Sequence, residues 1–206
     1  MKCSKGMTQR IFFLLLFLVT GSAAAISVRP VNLIEMVLSS DRVFLGKVVG
    51  IAEIYDSRLS TNVTVYTFSV LEGIRGPKTG DTVQVRQIGS HSSHSRKYSP
   101  VPGLPVYRKG QEVLLFLHGD SRFRLTSPVG LSQGVFRAVD MPDGRKGYIN
   151  GTGNRDLDMA SRPAYKSIPP VSAESGSGSF SGPGPITIEM VKSFVEDIGE
   201  KGTGLK

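Results

Sequence analysis

The chain has 206 residues, 39% of them hydrophobic, a formal net charge of +8 and a single cysteine. That length closes one hydrophobic core of ordinary size, and one cysteine excludes a disulfide framework. Three of the cations, Lys2, Lys5 and Arg10, sit at the very start, so the remaining positive balance is moderate and no nucleic-acid partner is expected.

Behind those cations comes the apolar run of residues 11–19, followed by small residues from Ser22 to Ala25. A positive start, a short apolar stretch and a small-residue site form the pattern of a secretory signal, and the run is too short to span a bilayer. Residues 1–25 are therefore expected to be cleaved, leaving a secreted or periplasmic chain with no transmembrane span. The only cysteine, Cys3, leaves with the signal, so the mature chain is expected to have neither a disulfide nor a thiol nucleophile.

Residues 31–39 place Leu33, Ile34, Val37 and Leu38 along one side of a short helix. Residues 43–55 follow as a long β-rich run interrupted by Gly46, Gly50 and Ala52, the pattern of a strongly bent strand. Residues 63–71 alternate cleanly, and after turn signals at Gly73, Gly76-Pro77 and Gly80-Asp81 the alternation resumes over 82–88, predicting a hairpin. Residues 89–108 read as a long loop. Residues 113–117 are apolar without a break and predict a strand covered on both faces. Residues 122–126 and 134–139 predict two more short strands, and 147–150 an edge. From 151 to 185 periodicity is lost, and 175–185 is almost wholly Gly, Ser and Pro, the composition of a flexible linker. Beyond it Thr187 caps a predicted helix over 187–199, with Val191, Phe194, Val195 and Ile198 on one face and Gly199 as its stop. Such a helix either folds back on the β domain or docks on a partner.

Strands at short intervals with no helix between them exclude a doubly wound parallel sheet. The fold expected is mainly β: a small antiparallel OB-like barrel over residues 31–150, with a short N-terminal helix and a C-terminal helix after the linker.

Residues 82–111 hold no Asp or Glu but do hold Arg86, Arg96, Lys97, Arg108 and Lys109. With Tyr98 and Tyr107 they form the candidate ligand-binding set, the cations for anionic groups and the tyrosines for stacking or packing. The histidines His91, His94 and His118 are weak candidates for a metal site and for a metal-dependent hydrolase built on it. Gly130-Leu131-Ser132-Gln133-Gly134 has the spacing of a nucleophile elbow, yet a strand pattern follows it and every histidine precedes Ser132, so it reads as a turn. Asp140, Asp143, Asp156 and Asp158 fit turn chemistry better than calcium ligation. Asn62 and Asn150 head glycosylation acceptor triplets that depend on the host.

Four segments together carry a resemblance: F-L-G-K-V at 44–48, the strand 66–71 ending at Gly73 and Gly76, V-P-G-L-P-V-Y at 101–107 with 110–117, and G-L-S-Q-G-V-F at 130–136. They resemble a broad group of uncharacterised exported bacterial β-barrel proteins. More distantly, the order of helix, bent G-K-V strand and hairpin is similar to the netrin-like OB barrel of tissue inhibitors of metalloproteinases. Those inhibitors present a disulfide-bonded N-terminal cysteine to zinc, which this mature chain lacks, so the resemblance implies a fold and no inhibitory mechanism. An enzyme is the minority reading, and no catalytic residue or cofactor is assigned. The expected function is an exported binding module for an anionic polymer or envelope component; the alternative is a protein-interaction module docking through the C-terminal helix.

Overall fold

The computed structural model describes residues 29–90, 101–155, 157 and 184–202. The signal-like segment and most of the Gly/Ser/Pro-rich stretch lie outside the described residues. Helix α1 (Leu33–Leu38) is followed by strands β1 (Arg42–Asp56), β2 (Thr61–Arg75), β3 (Thr82–Ile88) and β4 (Glu112–Leu117). A 3-10 turn (Leu131–Gly134) then leads into β5 (Val135–Asp140), β6 (Lys146–Ile149) and helix α2 (Ile188–Gly202). The strands form one six-stranded sheet in the order β3-β2-β1-β4-β5-β6, every pairing antiparallel.

The fold is mainly β, as the sequence predicts, but the sheet is open: β3 and β6 are its edges and no ladder joins them. The expected closed barrel is not formed because residues 118–128 do not supply a further strand. The R-F-R-L-T alternation there is folded into a tight turn, in which Ser121 Oγ accepts from the backbone N–H of Phe123 and Leu125 and Arg124 takes φ of 57°. Side-chain oxygens that satisfy nearby backbone donors compete with strand formation.

Two of the three irregularities in the β1–β2 ladder fall at glycines of β1. The ladder shifts register between Val43 and Phe44, Leu45 and Gly46, and Val48 and Gly50. At Gly46 a Cβ would come within 2.8 Å of the Phe44 ring, so the turn of the strand there requires glycine.

Two apolar layers sit on the two faces. On one, Val43, Leu114, Phe116 and Phe136 pack against Leu33, Met36 and Val37 of α1 and Val191, Phe194, Val195 and Ile198 of α2. On the other, Phe44, Val48, Tyr66, Phe68, Val83, Val85, Val113, Leu115 and Leu117 form a second cluster capped by Tyr107. β4 contributes to both, so its unbroken apolar sequence is that of a strand covered twice. α1 begins at Asn32, whose Oδ1 accepts from Glu35 N at 2.9 Å, and its last carbonyls are met by the Arg75 guanidinium, which donates to Val37 O and Ser40 O. α2 begins with Thr187 Oγ1 accepting from Met190 N at 3.3 Å and runs through Gly199 to Gly202. The predicted stop at Gly199 is overridden because Ile198, one residue earlier, is still anchored in the core.

Candidate functional site

The return from residue 101 to β4 determines what the candidate cations can do. Tyr107 enters the second core cluster, edge-on to Tyr66 (centroids 4.8 Å apart, 82°) and to Phe68 (5.3 Å, 86°). Such edge contacts add about 0.5–1.5 kcal/mol each to burial. The chain then reverses through a tight turn at Arg108 and Lys109. Gly110 has φ of 84°, Gln111 N donates to Arg108 O at 3.0 Å, and the Gln111 carboxamide oxygen accepts from Arg108 N at 3.0 Å. Two backbone bonds clamp this turn to β1: Gly110 N to Val48 O at 2.8 Å and Val48 N to Gln111 O at 2.9 Å. Arg108, Lys109 and the neighbouring β1 residue Lys47 are all exposed.

The other ligand-set residues divide in two. Arg86 is not presented to solvent: its guanidinium donates to Asp56 Oδ2 at 2.9 Å and to Phe123 O at 3.3 Å, with only 15% of its side chain exposed. Arg58 meets the same carboxylate, and these two guanidinium groups hold Asp56 below its usual pKa, Arg58 contributing most. Tyr107 is likewise core, 3% exposed, with its hydroxyl pushed well above the ordinary tyrosine range by burial. Tyr66 beside it is pushed up to about 12 by burial, partly relieved by a backbone hydrogen bond from Tyr107. Arg96, Lys97 and Tyr98 lie outside the described residues. The structure therefore brings Arg108 and Lys109 together on the surface and assigns Arg86 and Tyr107 to the scaffold.

A polar row crosses β1, β2 and β3, with Glu53 on β1 opposite Thr64 on β2 and Thr64 opposite Gln87 on β3. Ser90 Oγ donates to Glu53 Oε2 at 2.7 Å and Thr64 Oγ1 to Gly89 O at 2.7 Å. Gln87 is 1% exposed, and among the described residues neither its amide atoms nor the Tyr107 hydroxyl has a partner at good hydrogen-bond geometry, although the Gln87 amide lies near enough to the hydroxyl to offset part of the rise that burial causes. Nothing in the sequence marks Gln87 for this position beyond its place on the inward side of β3.

His91 and His94 lie outside the described residues. His118 is exposed at the end of β4, its backbone carbonyl accepting from Thr126 Oγ1 at 2.7 Å. Among the described residues no group of three or more His, Cys, Asp or Glu is arranged to hold a metal ion.

The G-L-S-Q-G segment has a structural task. Gly130 and Leu131 both take positive φ, and the 3-10 turn they open feeds strand β5, with Ser132 exposed on it. Gln133 is buried, its Oε1 accepting from Val31 N at 2.9 Å and its Nε2 donating to Arg29 O at 3.0 Å, so it ties the chain ahead of α1 to the start of β5. Asn150 is buried too: its Nδ2 donates to Gln133 O at 3.2 Å, and its Oδ1 accepts from Thr152 and Asn154, which occupies the amide a glycan would need. The apolar face of α2 is covered by the sheet. No described helix is long and apolar enough to cross a membrane.

No family model, no curated protein and no solved structure matches this chain.

Proposed function

We propose that the chain is an exported, non-enzymatic binding module for an anionic polymer or envelope component, and that the Arg108–Lys109 turn is its described contact point. The observation that carries this reading is the placing of two adjacent cations on one clamped turn. Arg42, Arg58, Arg86, Arg145, Lys146 and Lys192 each meet a carboxylate, whereas Arg108 and Lys109, like Lys47, Lys78, Arg122, Arg124, Arg137 and Arg155, have no ion pair among the described residues. Arg108 and Lys109 stand side by side on a turn whose backbone is clamped to β1, so little ordering is required when an anion arrives. Arg96, Lys97 and Tyr98 precede the same turn in the acid-free stretch of the sequence.

The strand order supports an OB-like curl. β1 flanked by β2 and β4 is the arrangement of a five-stranded barrel laid open between β3 and β5, and Thr126 N donates to Arg86 O at 3.0 Å across that opening. Barrels of this kind bind elongated ligands across one face and its loops.

The test is retention on an immobilised sulfated or uronate polysaccharide over a salt gradient. The full chain is expected to bind and to release as ionic strength rises, and Arg108→Ser with Lys109→Ser to weaken affinity about tenfold, at roughly 1 kcal/mol or slightly less per surface cation. No retention, retention that ignores salt, or a double variant that binds like the parent would refute the proposal.

A further inference from the structure

The connection that leaves the barrel open carries a second pair of cations. Within residues 118–128 the chain turns through Arg122, Phe123 and Arg124, and both arginines are exposed. Backbone bonds from Ser121 N to Leu125 O and from Arg124 N to Ser121 O, each 2.8 Å, close the turn, and Ser121 Oγ accepts from Phe123 N and Leu125 N at 3.3 and 3.1 Å. It is also fixed to the sheet: Arg86 donates to Phe123 O at 3.3 Å and Thr126 N to Arg86 O at 3.0 Å. Its conformation is therefore set before any ligand arrives.

Two features of this turn are not needed for closing it. Arg124 takes left-handed backbone, with φ of 57°, which glycine or asparagine adopts at lower cost, so the turn itself does not account for a long charged side chain there. The Arg122 guanidinium lies over the Phe123 ring, 4.6 Å from its centroid, which steadies this cation on an aromatic face and leaves its N–H edge for an oxyanion. The carboxylates that adjoin the turn are already taken, Asp120 by Arg42 at 2.5 Å and Asp56 by both Arg58 and Arg86.

We infer that this turn is a second anion-binding point, so that one molecule holds an extended anionic polysaccharide both here and at the Arg108–Lys109 turn; the inference rests on the function proposed above. The two turns flank β4, one before Glu112 and one after Leu117, and six residues of strand measure about 20 Å. A polymer that reaches from one to the other makes its second contact intramolecularly, and is held more tightly than a fragment that reaches only one. A lipid surface fits less well: Phe123 is half-buried beneath Arg122 and Leu125 is half-buried too, so the turn offers charge without an exposed apolar side chain to enter a bilayer.

Arg122→Ser with Arg124→Gly tests this on the immobilised sulfated polysaccharide. The pair removes both charges and supplies the residue that left-handed backbone favours, so the thermal midpoint is expected to be no lower than the parent's while affinity weakens about tenfold. Lys78→Ser with Arg155→Ser removes the same charge from exposed positions outside both turns and is expected to elute with the parent. In solution, the parent's preference for the long polymer over its disaccharide is expected to shrink in the turn variant. A turn variant that elutes with the parent, a Lys78 and Arg155 variant weakened as much as the turn variant, or an unchanged preference for the long polymer would each overturn the inference. So would loss of binding to phosphatidylglycerol vesicles in the turn variant with polysaccharide retention intact, which assigns the turn to a membrane. A parent that is not retained removes this inference together with the proposed function, whereas a turn variant that elutes with the parent while Arg108→Ser with Lys109→Ser elutes early removes this inference alone.

Discussion

Gln133 and Gln87 are both hidden, at 5% and 1% exposure, yet their amides have opposite effects. Gln133 bonds the backbone at Arg29 and Val31. Removing it takes the partner from two part-buried backbone groups, so Gln133→Ala is expected to lower unfolding free energy by about 1 kcal/mol, read from urea denaturation. Gln87 has no well-bonded amide atom among the described residues, and a buried amide without partners costs stability. Gln87→Leu is therefore expected to raise the urea midpoint, by about 1 kcal/mol in free energy; a lower midpoint would show that the amide is satisfied in solution. Neither role is visible along the chain. Arg86 teaches the same lesson at the candidate site: its charge is legible in the sequence, but its partner Asp56 comes from the far end of β1 and is brought beside it only by the stacking of β1, β2 and β3.

Among the elements, the strands with a strong pattern are the legible ones. The clean alternation of β2, the unbroken apolar run of β4 and the glycine-bent course of β1 all follow from which faces must be covered. Residues 122–126 were not legible, because a serine hydroxyl satisfies the backbone donors that a strand would have placed in a ladder. The C-terminal helix was legible as amphipathic, but not in its destination. Its buried Val191, Phe194, Val195 and Ile198 complete the layer that covers Phe116 and Phe136. Each such side chain contributes roughly 1.5–3 kcal/mol, a sum comparable with the whole stability of a domain. A chain ended after residue 184 is accordingly expected to lose cooperative unfolding and the dispersed amide spectrum of a packed sheet. A truncated chain that keeps both would mean that the helix is an attachment and not part of the core.

At the scale of the whole molecule, the open sheet is the feature that sequence periodicity does not supply. Alternation reports which side of a strand is covered; closure depends on whether one connection becomes a strand or a turn. Here the 118–128 connection becomes a turn, the barrel stays open, and the cluster under Tyr107 is roofed by the return of the 101–108 chain instead of by a strand.

The meeting of α1 and α2 on one face has a consequence for synthesis. The two helices come from opposite ends of the chain and share a single apolar layer, so the layer is unfinished until the last of its residues has left the ribosome. A nascent chain halted short of Val191 therefore carries β4 and β5 with Leu114, Phe116 and Phe136 uncovered. That is the species a holding chaperone would clasp and a quality-control protease would cut.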